Sequence, residues 1–316
     1  MQITTRSYIK FAALLTISSI SLQTFSEESS RCEVPGMAST CPSKICAFIN
    51  ELKQVNESIK TGISHSANMI QQNVLLLEGE TGSGKTKLAH AIAEATDSLS
   101  IKIHSCNLLT RYLNGGQKII DSTVENALSE AKNLKKRAII IFEGLDDLSC
   151  KDDSLSCEEY RTAYTALLKQ INTHKNDPHL FFILIASNPA KLSRSLQNQF
   201  QDCTVYMAKP NAERRRELLN HFSMQYTKQS INQYCSVECI EMLVRETQNF
   251  NVRDFENFYS IVRKCASRDN EPISQSHVIY ALNKTKEYLE RYMKTALSNA
   301  QRSPDVFVAV AVKRAE

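Results

Sequence analysis

Val74-Leu75-Leu76-Leu77-Glu78-Gly79-Glu80-Thr81-Gly82-Ser83-Gly84-Lys85-Thr86 is the stretch from which the rest of the chain can be read. Consecutive apolar residues without alternation describe a strand buried on both faces, and this one runs straight into glycines. From Gly79 to Thr86 the residues fit the pattern Gly-x-x-x-x-Gly-Lys-Thr of a P-loop without a mismatch. Leu88, Ala89, Ile92 and Ala93 then recur at helical spacing. Strand, glycine-rich turn and helix N-terminus in that order make a phosphate cradle. The glycines let consecutive backbone N–H groups turn inward, and the helix adds the positive end of its dipole. Lys85 is spaced to reach the β- and γ-phosphates of a nucleoside triphosphate, and the Thr86 hydroxyl to ligate Mg²⁺. Gly79, Glu80, Thr81, Gly82, Ser83, Gly84, Lys85 and Thr86 are therefore the expected nucleotide-binding residues, for a nucleoside triphosphate such as ATP with Mg²⁺.

Outward from this stretch the pattern alternates. A second strand is predicted near Ser100–His104, a helix from about Asp121 to Leu134, a third strand over Ala138–Phe142, a helix from about Glu158 to Thr173, a fourth strand over Leu180–Ile185 and a short last one over Thr204–Met207. Continuous apolar strands separated by helices predict an α/β fold, a three-layer αβα sandwich around a parallel sheet. After Pro210 the pattern becomes wholly helical, which predicts a small helical lid domain. The expected division is 1–26 signal peptide or N-terminal anchor, 27–70 a Cys-containing linker and helix, 71–210 the nucleotide-binding domain, 211–300 the lid and 301–316 a tail. The tail's apolar stretch Val306–Val312 offers an edge strand.

A P-loop needs an acid at the end of a neighbouring strand to support magnesium, and Glu143 follows the apolar run Ala138–Phe142. From about Val74 to Lys284 the chain resembles the AAA+ ATPases: the P-loop, an apolar strand ending in acid, Ile185-Ala186-Ser187-Asn188 ending the next strand, then a helical lid. The resemblance implies that Glu143 supports Mg²⁺ with Thr86, that Asn188 is the sensor 1 residue orienting the lytic water, and that Arg253, in Asn251-Val252-Arg253-Asp254-Phe255, is the sensor 2 residue touching the γ-phosphate. On the residues alone, Asn188 before Pro189 also reads as a turn former, and Arg253 as a first-turn arginine paired with Asp254 or Glu256. Arg111-Tyr112-Leu113-Asn114-Gly115-Gly116 looks like the family's pore loop, with Tyr112 gripping a polypeptide substrate, or like a plain turn tip. The family implies a homo- or hetero-oligomeric ring coupled to protein remodelling or unfolding.

Two positions depart from the family. Its strand normally ends in Asp-Glu, the Glu polarising the attacking water, whereas here Glu143 is followed by Gly144, with Asp146 and Asp147 further on; shifted by one, the register makes Glu143 the catalytic base and leaves Phe142 at the metal position. In the segment that supplies an arginine finger to the neighbouring subunit, Ser195-Leu196-Gln197-Asn198-Gln199-Phe200, Gln199 replaces the arginine, and Arg194 lies on the other side of Leu196. A water-positioning group is worth on the order of 10²-fold in rate and an arginine finger about 10³ to 10⁵. Two readings follow: a remodelling ATPase with weakened hydrolysis, or a hydrolysis-deficient ATP-binding regulator or scaffold.

The 316 residues carry a net charge of only +4, which does not argue for nucleic acid as the partner. Lys135-Lys136-Arg137 and Arg214-Arg215-Arg216 read as solvated charges. No His-Glu-x-x-His protease motif occurs. Residues 1–26 lack an acid and carry Arg6 and Lys10 before an apolar stretch. This has the form of a secretory signal peptide, pointing to the secretory pathway, a periplasm or a membrane anchor. A cytoplasmic or organellar location with an amphipathic first helix stays open, and a membrane is involved only through this segment if uncleaved. Of the ten cysteines, Cys32, Cys41 and Cys46 follow this segment and Cys150 and Cys157 bracket an acidic loop, groupings that suit an oxidising compartment. Cys106 and Cys265 are expected in the core, and Cys235 and Cys239 stand one helical turn apart without a second ligand pair for zinc.

Overall fold

The computed structural model describes residues 42–61, 73–110, 114–148, 155–192 and 194–302. They fall into two compact units: one holds the residues up to Glu80 with Lys85–Met207, the other Thr81–Gly84 with the residues from Ala208 onward. In the first unit the strands β1 (Val74–Gly79), β2 (Leu99–His104), β3 (Ala138–Glu143), β4 (Leu180–Ala186) and β5 (Thr204–Met207) form one sheet. Its order is β2-β3-β4-β1-β5, and every neighbouring pair is parallel. The three inner strands are the continuous apolar runs, because both their faces are covered. Strand β2, at the edge, alternates: Ile103 is buried while Ser100 and Lys102 are exposed.

The two faces sort by parity along each strand. Leu76, Ile140 and Phe182 pack on α3 (Gly115–Leu134) and α4 (Leu155–Thr173) through Val124, Ala127 and Leu167. Leu75, Ile141 and Ile183 pack on α1 (Pro42–Thr61) and α2 (Lys85–Ala95) through Leu52, Ala89 and Ile92. The result is the three-layer αβα sandwich; each fully buried aliphatic or aromatic side chain stabilises it by about 1.5–3 kcal/mol. A short helix α5 (Arg194–Gln199) seats Leu196 and the following Phe200 on the first of these cores. Helix α3 begins at Gly115 rather than near Asp121. Asn114, in the left-handed conformation at its N-cap, turns the chain into a helix whose first turn carries no apolar signal.

The second unit is helical: α6 (Ala212–Thr227), α7 (Val237–Glu246), α8 (Val252–Asp269) and α9 (Gln275–Arg302). Leu219, Phe222, Leu243, Phe255, Phe258 and Val278 form its core. Helix α8 opens with a capping box: Asn251 Oδ1 accepts from the Asp254 N–H at 3.0 Å and Asp254 Oδ2 from the Asn251 N–H at 2.9 Å. This unit includes the loop tip, since Asn251 Nδ2 donates to Thr81 O at 3.3 Å and the Arg253 N–H to Gly82 O at 3.1 Å.

Three expectations about charges and thiols are corrected. Arg137 and Arg215 are buried rather than solvated. Carbonyls accept from each guanidinium, Arg137 Nε donating to Pro178 O at 2.7 Å and Arg215 to Val244 O and Pro210 O, both at 2.9 Å, while Arg137 Nη1 is buried without a hydrogen-bond partner among the described residues. Burial lowers the Arg137 pKa to about 10, with Asp177 opposing the shift. Cys106 is exposed on a 3₁₀ turn, whereas Cys265 is buried as expected. Residues 1–26, Cys32, Cys41, Cys150, Tyr112 and the tail from Ser303 lie outside the described residues. Among those described, no helix is long and apolar enough to cross a membrane.

Candidate functional site

The carboxyl edge of the sheet collects the motif residues. Strand β1 delivers the loop that begins at Gly79, whose φ of 143° and position beside β5 both require glycine: a Cβ there would stand 2.5 Å from Met207 O. Lys85 is buried at the start of α2, and its ammonium donates to Gly79 O at 2.7 Å and Glu80 O at 2.8 Å. These bonds fold the lysine back along its own loop, at the mouth of the helix N-terminus.

Glu143 is the last residue of β3, in register with His104 of β2 and Ile185 of β4. Its side chain is largely buried and forms an ion pair with Lys102 Nζ at 2.7 Å. Burial pushes the Glu143 carboxyl up, but hydrogen bonds from Lys102 and from Thr86, and the positive field of Lys102 and His104, outweigh it and hold the pKa below the ordinary carboxylate value. Glu143 and Thr86, far apart in sequence, are thus brought close enough to interact. An ionised oxygen ligand beside a hydroxyl is the donor set that a hard divalent cation takes.

Beyond Glu143 the edge is built differently. Gly144 has φ 80°, and a Cβ there would meet Ser105 Oγ at 2.3 Å and Asp147 Oδ2 at 2.7 Å. The two acids that follow are both engaged. Asp146 is buried on the 3₁₀ turn Leu145–Leu148, and its carboxylate accepts from the Ser187 N–H at 3.0 Å and the Asn188 N–H at 3.2 Å. Asp147 Oδ2 accepts from the Ser105 hydroxyl at 2.8 Å. Asp146 therefore fastens the end of β3 to the segment after β4. The Asn188 side chain makes no capping bond to the 3₁₀ turn Pro189–Lys191 that it precedes.

Residues 75–206 match the family model for the ATPase family associated with various cellular activities (AAA). Residues 75–206 are an AAA+ P-loop ATPase domain. It is similar to Cell division protein C of Sulfolobus acidocaldarius, 24% identical over 186 residues, which are 58% of this chain and 47% of that protein. Vacuolar protein sorting-associated protein 4 of Dictyostelium discoideum is 26% identical over 145 residues, 46% of this chain and 31% of that protein. Spastin of Drosophila erecta is 28% identical over 149 residues, 46% of this chain and 19% of that protein. The chain spans less than half the length of each of these relatives. A chain in the HORMA:CdnC:Trip13 complex of E. coli MS115-1 shares the fold, with a TM-score of 0.60 at 16% identity over 77% of this chain and 87% of that one.

The AAA match implies nucleotide binding, of ATP and usually with Mg²⁺. The other positions singled out by the AAA+ pattern are placed as follows. Gln199 ends α5, and its Nε2 donates to Asn172 Oδ1 of α4 at 3.3 Å. Arg194, at the other end of α5, is exposed. Arg253 is exposed in the first turn of α8, behind the capping box that engages Asp254. Tyr112 is outside the described residues, and of its segment Gly115 and Gly116 belong to α3. Cys235 and Cys239 sit in the helical core, where burial first, then Cys239, pushes the Cys235 thiol up to about 12; no cluster of three or more His, Cys, Asp or Glu side chains able to hold a metal occurs among the described residues. Sequence reasoning missed Lys102, Ser105 and the clamp made by Asp146. The alternation of β2, which puts Ser100, Lys102 and His104 on one side, was the available signal for the first of these.

Proposed function

We propose that this AAA+ chain binds ATP with Mg²⁺ at Gly79–Thr86 and hydrolyses it slowly. The observation that carries this reading is the contrast at the sheet edge. Lys85, Thr86 and Glu143 converge there, while Gly144 has neither the backbone conformation nor the space for the glutamate that would polarise water. In this reading Lys85 exchanges the carbonyls of Gly79 and Glu80 for phosphate oxygens, and the backbone N–H groups from Gly82 to Thr86 hold the phosphates. Thr86 and Glu143 hold the ion, which when bound supplies positive charge against the phosphate oxygens. Asn188, aimed by the Asp146 clamp, orients water, and Arg253 is assigned by the family pattern to the γ-phosphate. The same pattern supplies the remaining parts of the proposal, an oligomeric ring and a polypeptide substrate gripped by Tyr112.

A second reading, a hydrolysis-deficient ATP-binding regulator or scaffold, is favoured by Gln199. This neutral residue, bonded to Asn172, cannot offset charge developing on phosphate in a neighbouring subunit. Titration of the full chain with a fluorescent ATP analogue, beside steady-state phosphate release, tests both readings. The expected result is nucleotide binding with turnover in Mg²⁺ on the order of 10²-fold or more below an AAA+ member that has the intact acid pair. Lys85→Ala should weaken binding on the order of 10²-fold with an unchanged circular dichroism spectrum, because a charge-assisted bond to phosphate is lost. Turnover equal to the intact member would overturn slow hydrolysis, and unaltered binding by Lys85→Ala would overturn the site.

A further inference from the structure

We infer that Lys102 is a resident cation at the metal edge: its ammonium holds the Glu143 carboxylate in competition with the divalent ion, so divalent metal adds little to nucleotide affinity. Strand β2 alternates, and Ser100, two residues before Lys102, lies with its hydroxyl 3.3 Å from His90 Nδ1 of α2. Lys102 therefore projects from the face of the sheet that α2 covers. In register it opposes Ile141, which belongs to the core on that face, and Glu143 is the diagonal neighbour two residues on. The long lysine stem spans this diagonal, bringing Nζ to the carboxylate.

The contact is made at 2.7 Å, with the Glu143 side chain only 13% exposed and that of Lys102 44%. Because the carboxylate is mostly out of water, the pair is tighter than an ordinary surface ion pair. The half-open lysine can still leave. The groups facing Glu143 are Lys102 and His104 of β2 and the Thr86 hydroxyl of α2. A divalent ion thus approaches a carboxylate whose charge is already neutralised by one ammonium, and must displace it. Lysine suits this role as a compact charge on a flexible stem, held by no fork geometry. Lys102 is a positioning residue that acts through Glu143.

This inference rests on the proposed nucleotide site, and the experiment separates the two. The unaltered full chain and Lys102→Met are titrated with fluorescent ATP analogue in EDTA and in Mg²⁺, and Mn²⁺ binding to each nucleotide-loaded chain is followed by paramagnetic resonance. Unaltered chain should show less than about a 3-fold gain from Mg²⁺. Lys102→Met should bind Mn²⁺ about 10-fold more tightly and gain about 10-fold from Mg²⁺, while Lys102→Arg keeps the charge and stays near the unaltered values. Lys102→Gln serves in the same assay if the Met variant does not fold. Nucleotide binding with Mn²⁺ affinity unchanged or weakened in the neutral variant overturns the inference alone. Loss of all nucleotide binding by the unaltered chain overturns the site as well.

Discussion

Two inner strands of the sheet end in the same dipeptide: β1 in Glu78-Gly79 and β3 in Glu143, followed by Gly144. Both glycines take positive φ, 143° and 80°, and both are pressed by neighbours that leave no room for a Cβ. Yet the two ends do different things. After Gly79 the chain opens into the phosphate loop; after Gly144 it closes into a 3₁₀ turn whose acids are engaged by Ser105, Ser187 and Asn188. The glutamates diverge too. Burial raises the pKa of Glu78, whereas at Glu143 burial is outweighed by Lys102 and Thr86 and the pKa falls. A residue's chemistry at a strand end is thus set by the neighbouring strand and helix, and the strand supplies only its place.

The sharpest way to break the comparison is Gly144→Glu, which inserts the side chain that an AAA+ hydrolase carries after its metal acid. A non-glycine residue at φ 80° costs about 1–3 kcal/mol, and the crowding by Ser105 and Asp147 adds a similar amount. Chemical denaturation should show a loss of about 2–5 kcal/mol, with no rise in phosphate release. A variant as stable as the unaltered chain with turnover raised on the order of 10²-fold would mean that the two strand ends are interchangeable after all.

Next in size is Asp146→Asn. The amide keeps one acceptor but turns an NH₂ toward a backbone N–H, so the clamp between β3 and the segment after β4 loses a charged bond and gains a clash of donors. The expected cost is about 1.5–3 kcal/mol, with faster hydrogen exchange at the Ser187 and Asn188 amides than elsewhere on β4. Unchanged protection at those two amides would show that the clamp does not position Asn188.

The two ends also differed in how far the sequence disclosed them. The loop Gly79–Thr86 is contiguous, and its geometry is carried by its own glycines and by the helix it begins, so a short window sufficed. The sandwich was equally legible, since Leu75–Leu77, Ile139–Ile141 and Phe181–Ile185 are apolar runs with a length and spacing that a covered parallel sheet requires. At β3 the sequence showed Glu143 and the departure at Gly144, but not that Gly144 is held left-handed against Ser105, nor that Asp146 is committed to Ser187 and Asn188. Those facts depend on side chains about forty residues apart meeting at one sheet edge. Arg137 and Arg215 were misread for the same reason, because the carbonyls of Pro178 and Val244 that accept from them lie far along the chain.

The smallest effect is a pH dependence of opposite sign at the two glutamates. The folded pKa of Glu78 is raised, so the native state binds more protons than the unfolded chain over the interval above the ordinary carboxylate value. Its contribution to stability is fully present below about pH 4.5 and is lost as pH rises through the folded pKa. The folded pKa of Glu143 is lowered, so its contribution is present above about pH 4.5 and lost as pH falls through the folded pKa. Relative to the unaltered chain, Glu78→Gln should therefore gain stability between pH 4 and pH 7, while Glu143→Gln should lose it over the upper part of a titration from pH 3 to pH 7. Denaturant midpoints measured at intervals across that range read both slopes in one buffer series. Adding Lys102→Met to Glu143→Gln should produce little further change, because the cation that depresses the pKa would already lack its carboxylate. If both glutamine variants moved in the same direction with pH, the contrast between the two strand ends would reduce to burial alone, and the ion pair with Lys102 would carry none of it.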